Sequence, residues 1–256
     1  MDHTSLEQRA IRLRVRLRWA RYALLDWLAK PPATLACPIC LHEDRHARFP
    51  MLIAQDQFGG GKLIRHQCPG CDVIFGTQRM LSSPPEEMAI EYKDLYATYE
   101  EHESTERELA AFSYLGARPG GRYLNFGAGR WSASLTVLRQ QGIDVVAFEP
   151  YMNIASSATV YTKEEELRDL RFDGIMSNNL IEHLQDPVSA LTAQAELLRD
   201  RDACMVHATA CYRYEYEYSR FHLFFFVGRS VEAMARRAGL RVEETDNPDV
   251  RRFLLA

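Results

Sequence analysis

Two Cys-x-x-Cys pairs, Cys37-Pro-Ile-Cys40 and Cys68-Pro-Gly-Cys71, stand 27 residues apart in the chain. Each pair can turn two thiolates toward one ion, and four thiolates complete the tetrahedral shell of a closed zinc site. Gly70 permits the tight backbone that the second knuckle needs. Between the pairs, FPMLIAQ and KLIRHQ flank Phe58-Gly59-Gly60-Gly61, a strand, a turn and a strand. A redox role is the alternative, but a single Cys-x-x-Cys suffices for thiol–disulfide exchange, so the doubled spacing points to a metal.

The segment resembles a zinc ribbon across both knuckles, which implies structural Zn2+ on Cys37, Cys40, Cys68 and Cys71. His42, His46 and His66 lie nearby, and the complete cysteine set makes them unnecessary as ligands. Of the two other cysteines, Cys204 reads as a buried strand residue, because free cysteine packs as a small hydrophobe.

Before the ribbon, IRLRVRLRWARYALLDWL offers two patterns. Alternation from Ile11 to Trp19 suits a strand, while Leu13, Leu17, Ala20, Leu24 and Leu28 form a helical stripe. Arg, Leu and Ala favour helices, so a helix is expected, ended by Pro31-Pro32. Its simplest use is packing on its own domain. Because Ile11, Val15, Trp19 and Tyr22 would lie on a second side, a peripheral membrane or protein partner is the alternative.

The net charge of −4 gives no global pull toward nucleic acid. No apolar run approaches the ~20 residues of a membrane-spanning helix, and MDHTSLEQRAIR lacks a secretory core. The expectation is a cytoplasmic α/β protein in four parts: a basic helix (1–32), the ribbon (33–80), a linker read as one connecting helix (81–118), and a larger domain (119–256).

In that larger domain, RYLNFGAGRW runs an apolar strand into Gly127-Ala128-Gly129 and then a helix carrying Trp131, Leu135 and Leu138 on one face. The next strand, DVVAFEP, places Glu149 twenty residues after Gly129. Glycines let the backbone approach a ligand, and an acid at the end of the second strand can accept two ribose hydroxyls. Dinucleotide folds want Gly-x-Gly-x-x-Gly, whose last position here is Ser132. A nucleoside without a pyrophosphate fits better.

On these residues, 119–256 resembles a class I S-adenosylmethionine-dependent methyltransferase with a Rossmann-like seven-stranded sheet. The family's Asp-x-Gly-x-Gly-x-Gly turn corresponds to Asn125-Phe126-Gly127-Ala128-Gly129-Arg130-Trp131, with asparagine for aspartate and tryptophan for the third glycine. The resemblance implies cofactor contacts from Asn125, Phe126, Gly127, Gly129, Glu149, Pro150, Asn178 and Asn179. It also makes ACMVHAT, LRVEET and VRRFLL the last three strands. Fusion to a Cys-x-x-Cys ribbon resembles bacterial methyltransferases of sugars, polysaccharides and secondary metabolites.

Methyl transfer to a hydroxyl needs a general base, and histidine suits neutral pH. His183, after the fourth strand, and His222, in YEYEYSRFHLFFFVG, are the expected bases, with the alternating tyrosines of that stretch as stacking surfaces. Glu182 can orient His183 or hold a metal. The leading expectation is O-methylation of a sugar, glycan or related small molecule. An RNA methyltransferase and a non-catalytic binding module are the alternatives.

Overall fold

The computed structural model describes residues 5–29, 31–99, 103–129, 133–151 and 158–256. Trp131 and Ser132 lie outside them. Helix α1 (Leu6–Leu28) starts at Ser5, whose hydroxyl and the Gln8 side chain each satisfy the other's backbone N–H. It packs through Ile11, Val15 and Trp19, whereas Leu13, Leu17, Leu24 and Leu28 face outward. The helix therefore rests on its own protein by the second side, and the leucine stripe stays exposed.

The ribbon follows as β1 (Thr34–Ala36), β2 (Glu43–Arg45), β3 (Met51–Gln55), β4 (Lys62–Gln67) and β5 (Ile74–Gly76). Strands β1 and β2 pair antiparallel, and β3, β4 and β5 form a meander. Next come α2 (Gln78–Ser82), α3 (Pro85–Tyr96) and α4 (Thr105–Ser113), in place of one connecting helix. Pro84 and Pro85 end the first of these and begin the next, because proline suits only a helix's first turn.

The remaining elements are β6 (Arg122–Phe126), α5 (Ala133–Gln140), β7 (Asp144–Phe148), β8 (Val160–Tyr161), β9 (Gly174–Asn178), α6 (Pro187–Glu196), β10 (Cys204–Ala208), β11 (Phe224–Phe225), α7 (Ser230–Arg237), β12 (Leu240–Glu244) and β13 (Val250–Leu255). Seven strands form the main sheet in the order β12-β13-β10-β9-β6-β7-β8. It is parallel from β10 to β8, while β13 runs antiparallel to both neighbours.

Alternate residues of the central strands serve opposite faces. Tyr123, Val145, Met176 and Val206 pack with α4 and α5, through Phe112, Leu135 and Leu138. Leu124, Val146, Ile175 and Met205 pack with α6 and α7, through Val188, Leu191 and Met234. Asp186 caps α6, accepting the Ser189 N–H at 3.0 Å, and Pro187 sits in the first turn. Both faces of the sheet are covered, as the long apolar strands require.

The ribbon is not a separate bead. Its sheet takes a fourth strand, β11, from the segment that carries His222, and its cysteines share one core with Leu124, Met205 and Phe253. Arg237, in the last turn of α7, donates to the Pro38 and Ile39 carbonyls of the first knuckle at 2.7 and 2.8 Å. Arg229 meets Asp72 of the second knuckle at 2.9 Å.

Candidate active site

The carboxyl ends of β9, β6 and β7 lie side by side, and the sequence-predicted nucleoside residues gather there. Asn125 and Phe126 close β6, Gly127 and Gly129 form the turn, Glu149 and Pro150 follow β7, Asn178 ends β9 and Asn179 follows it. Gly127 has φ +75°, and a Cβ there would meet the Leu180 side chain at 2.8 Å. The positive φ strains any residue with a Cβ there, and such a side chain would also displace that of Leu180. The Glu149 carboxylate bridges the strand ends, accepting the Gly129 and Tyr151 N–H groups at 2.9 Å each. Phe126 packs on Phe148 with ring centroids 4.7 Å apart.

Asn125 has a buried partner that sequence reasoning missed. The Glu108 carboxylate, from α4, accepts from Asn125 Nδ2 at 3.4 Å and from the Ser104 and Ser134 hydroxyls. Burial pushes the Glu108 carboxyl up from its ordinary value, against the lowering effect of these three donors. Asn125 thus donates to a buried acid. Nothing in TERELAAFS marks Glu108 apart from an ordinary first-turn acid, since the contact spans 17 positions of sequence.

The two histidines come together. Their rings lie 5.0 Å apart between centroids. His183 Nδ1 is 3.0 Å from the Phe221 carbonyl oxygen, and His222 Nδ1 is 3.0 Å from that of Tyr216. A carbonyl oxygen only accepts, so each Nδ1 carries the ring hydrogen and each Nε2 is left as a proton acceptor. Burial holds both imidazoles down to about 4, so both are neutral near pH 7. Glu182 stands beside them, buried and taking the Thr209 hydroxyl at 2.6 Å, with its carboxyl raised by burial. One donor atom from each of Glu182, His183 and His222 lies within 4.8 Å of the other two.

The loop from Tyr212 to His222 is held from the ribbon. Arg65 of β4, fully buried, donates to the carbonyls of Glu217 and Ser219 at 2.7 Å each and of His222 at 3.3 Å. Alternation along KLIRHQ puts Arg65 on the inner face with Leu63, which was the sequence signal for its burial. Arg220 adds a second clamp, reaching Asp56 and Glu91 at 2.8 Å each. The alternating tyrosines do not form a strand. Tyr212 is buried and donates its hydroxyl to the His207 carbonyl at 3.2 Å, while Tyr216 is exposed at φ +60°.

The four predicted sulfurs form a separate cluster, with Cys37 and Cys71 Sγ 3.8 Å apart and Cys40 and Cys68 Sγ 3.5 Å apart. Tetrahedral zinc with bonds of ~2.3 Å sets its sulfurs about 3.8 Å apart, so the geometry fits. The Cys71 thiol hydrogen bond and two backbone N–H groups lower Cys37 to about 5, and burial lifts Cys68 to about 12. A dication would resolve this competition, because all four sulfurs can then ionise together.

The methyltransferase domain family profile matches residues 96–245. No curated protein matches the chain. Among solved structures, the chain is similar to an O-methyltransferase family protein from Burkholderia thailandensis, with 11% identity, a TM-score of 0.46, and 69% and 60% of the two chains covered. Streptomyces venezuelae DesVI aligns at 13% identity and TM-score 0.45 over 68% of this chain and 100% of its own. A TehB-like SAM-dependent methyltransferase from Corynebacterium glutamicum gives 19%, 0.42, 67% and 97% in the same order.

Proposed function

Since the chain belongs to the methyltransferase domain family and is a class I S-adenosylmethionine-dependent methyltransferase, we propose that it methylates a hydroxyl of a sugar, glycan or related small molecule. The observation that carries the choice of a hydroxyl is the pair of half-buried imidazoles, each with Nδ1 fixed on a carbonyl and Nε2 left as an acceptor. Bound S-adenosylmethionine supplies an electrophilic methyl on a sulfonium. The protein's work is then to align the acceptor oxygen and remove its proton.

Gly127, Gly129 and Glu149 would hold the nucleoside, with Asn125, Phe126, Pro150, Asn178 and Asn179 around it. His183 or His222 takes the acceptor's proton, and a neutral imidazole is ready to do so at physiological pH. The buried Glu182 carboxyl stands next to the imidazolium that forms and stabilises it. Zinc on Cys37, Cys40, Cys68 and Cys71 fixes the ribbon, and the ribbon fixes the His222 loop through Arg65 and β11.

The test is a screen of nucleotide sugars and glycans with labelled S-adenosylmethionine, run on wild type, His183→Ala and His222→Ala. Methyl incorporation into a hydroxyl, lost in both variants while S-adenosylhomocysteine still binds, supports the reading. Incorporation only into RNA, or into an acceptor nitrogen or carbon, overturns it.

A further inference from the structure

The outward face of α1 is apolar along its whole length. Leu6, Ala10, Leu13, Leu17, Ala20, Leu24 and Trp27 recur at steps of four and three, with Leu28 beside them. The leucines of this stripe and Trp27 are 56–85% exposed. The opposite face, Ile11, Val15 and Trp19, is already spent on the body of the protein. Among the described residues the stripe therefore covers nothing, and a seam of this length is far more than the scattered apolar residues of an ordinary surface.

Its flanks carry the charge. The helix has six arginines against Glu7 and Asp26 in a chain whose net charge is −4. Arg14 and Arg18 pair with Asp94 and Glu91 on α3. Arg9, Arg12, Arg16 and Arg21 are exposed and make no ion pair among the described residues. Arg9 and Arg16 border the stripe on one side, Arg14 and Arg21 on the other.

A second copy of the helix laid along this seam would set arginine against arginine on both edges, and such flanking positions decide helix pairing by charge. The occupant has to be anionic. We propose that α1 docks the protein on an anionic membrane surface, with the leucine stripe and Trp27 in the headgroup–acyl boundary and the arginines on lipid phosphates. An interfacial helix has this cross-section, with cations at both edges of an apolar strip. Tryptophan at the end of the strip suits the same depth.

The docked helix is rigidly tied to the catalytic loop. Glu91 accepts from Arg18 Nε at 2.7 Å and Trp19 Nε1 at 3.2 Å, and its other oxygen accepts from Arg220 Nε at 2.9 Å. Arg220 precedes Phe221, whose carbonyl orients His183. Docking through α1 thus fixes the orientation of the active site toward acceptors carried at the surface.

The test is co-sedimentation of the zinc-loaded full chain with phosphatidylcholine vesicles, with and without roughly one-third phosphatidylglycerol. Binding to the anionic vesicles is expected, falling about tenfold or more in Leu17→Glu/Leu24→Glu and again as salt is raised past the Debye range. Arg9→Glu/Arg21→Glu should lose the same binding while melting like wild type. Folded wild type that ignores anionic vesicles, or binding that survives the leucine substitutions, overturns the proposal. So does a stripe that mediates self-association or captures an acidic amphipathic peptide while vesicles stay unbound. S-adenosylhomocysteine affinity, measured alongside, is expected to be equal in all variants, so the methyltransferase reading stands or falls separately.

Discussion

Replacing Arg65 separates what the ribbon does for catalysis from what it does for cofactor binding. Arg65→Met keeps much of the buried volume and removes three charge-assisted donations, to the carbonyls of Glu217, Ser219 and His222. A hydrogen bond to a charged group contributes about 1.5–3 kcal/mol, and two of these, at 2.7 Å, are well formed. The loss is offset by relief of the guanidinium's burial, which lowers its own pKa from the ordinary value. A net destabilisation of about 2–4 kcal/mol follows if the loop stays closed. If the loop opens instead, its carbonyls hydrate and the stability loss is smaller, but His222 leaves His183. In that case turnover falls by about tenfold or more, since displacing a positioned group by ~1 Å already costs that much. The assay combines urea unfolding, calorimetry with S-adenosylhomocysteine, and turnover. The expected pattern is lower turnover with cofactor affinity within about twofold of wild type. Arg65→Lys should rescue little, because an ammonium cannot fork between carbonyls. A variant with wild-type turnover and stability would refute the clamp.

Three further outcomes are expected. Chelation should release one zinc per chain, because four thiolates complete one tetrahedral site, and should abolish cooperative melting, since structural zinc contributes on the order of 10 kcal/mol to small ribbons. Unchanged melting after complete metal removal would contradict the shared core. If His183 or His222 is the proposed base, rate should stay flat as pH falls through 6.5 and drop only near 4, because burial holds both imidazoles down to about 4. Stability follows a related course: between pH ~6.5 and 4 the unfolded chain binds protons that these native imidazoles refuse, so urea midpoints should fall with pH across that window. Glu108→Gln keeps one acceptor oxygen and sets an NH2 donor against the groups that now donate to the other, so it should lower the melting midpoint by about 2–8 °C and weaken cofactor binding several-fold. An unperturbed midpoint would mean that this acid is dispensable.

The parts of the molecule that sequence made legible are those governed by local rules. The glycine turn, the acid after β7 and the cysteine knuckles depend on residues close in sequence, and each stands where its spacing implied. Strand faces were readable for the same reason, with alternation separating Leu124 from Tyr123 and Met205 from Val206. What escaped was set by contacts distant in sequence. Helix α1 offered two apolar faces, and packing against α3, the ribbon turn at Gly59 and Arg220 decides that Val15 and Trp19 go inward. Glu108 looks like a surface charge until α5 arrives beside it, and alternation places Arg65 inward without showing which carbonyls it holds. The backbone of the loop that carries the alternating tyrosines is held by Arg65, a contact that spans more than 150 positions of sequence.

The most direct test is calorimetric titration of zinc-loaded protein with S-adenosylmethionine and S-adenosylhomocysteine, beside Glu149→Ala. Both ligands should bind wild type, and the variant should lose about tenfold or more, the equivalent of one charge-assisted hydrogen bond to the ribose. Absence of binding to wild type that melts cooperatively, or equal affinity in Glu149→Ala, would contradict a nucleoside site at the carboxyl ends of β6 and β7.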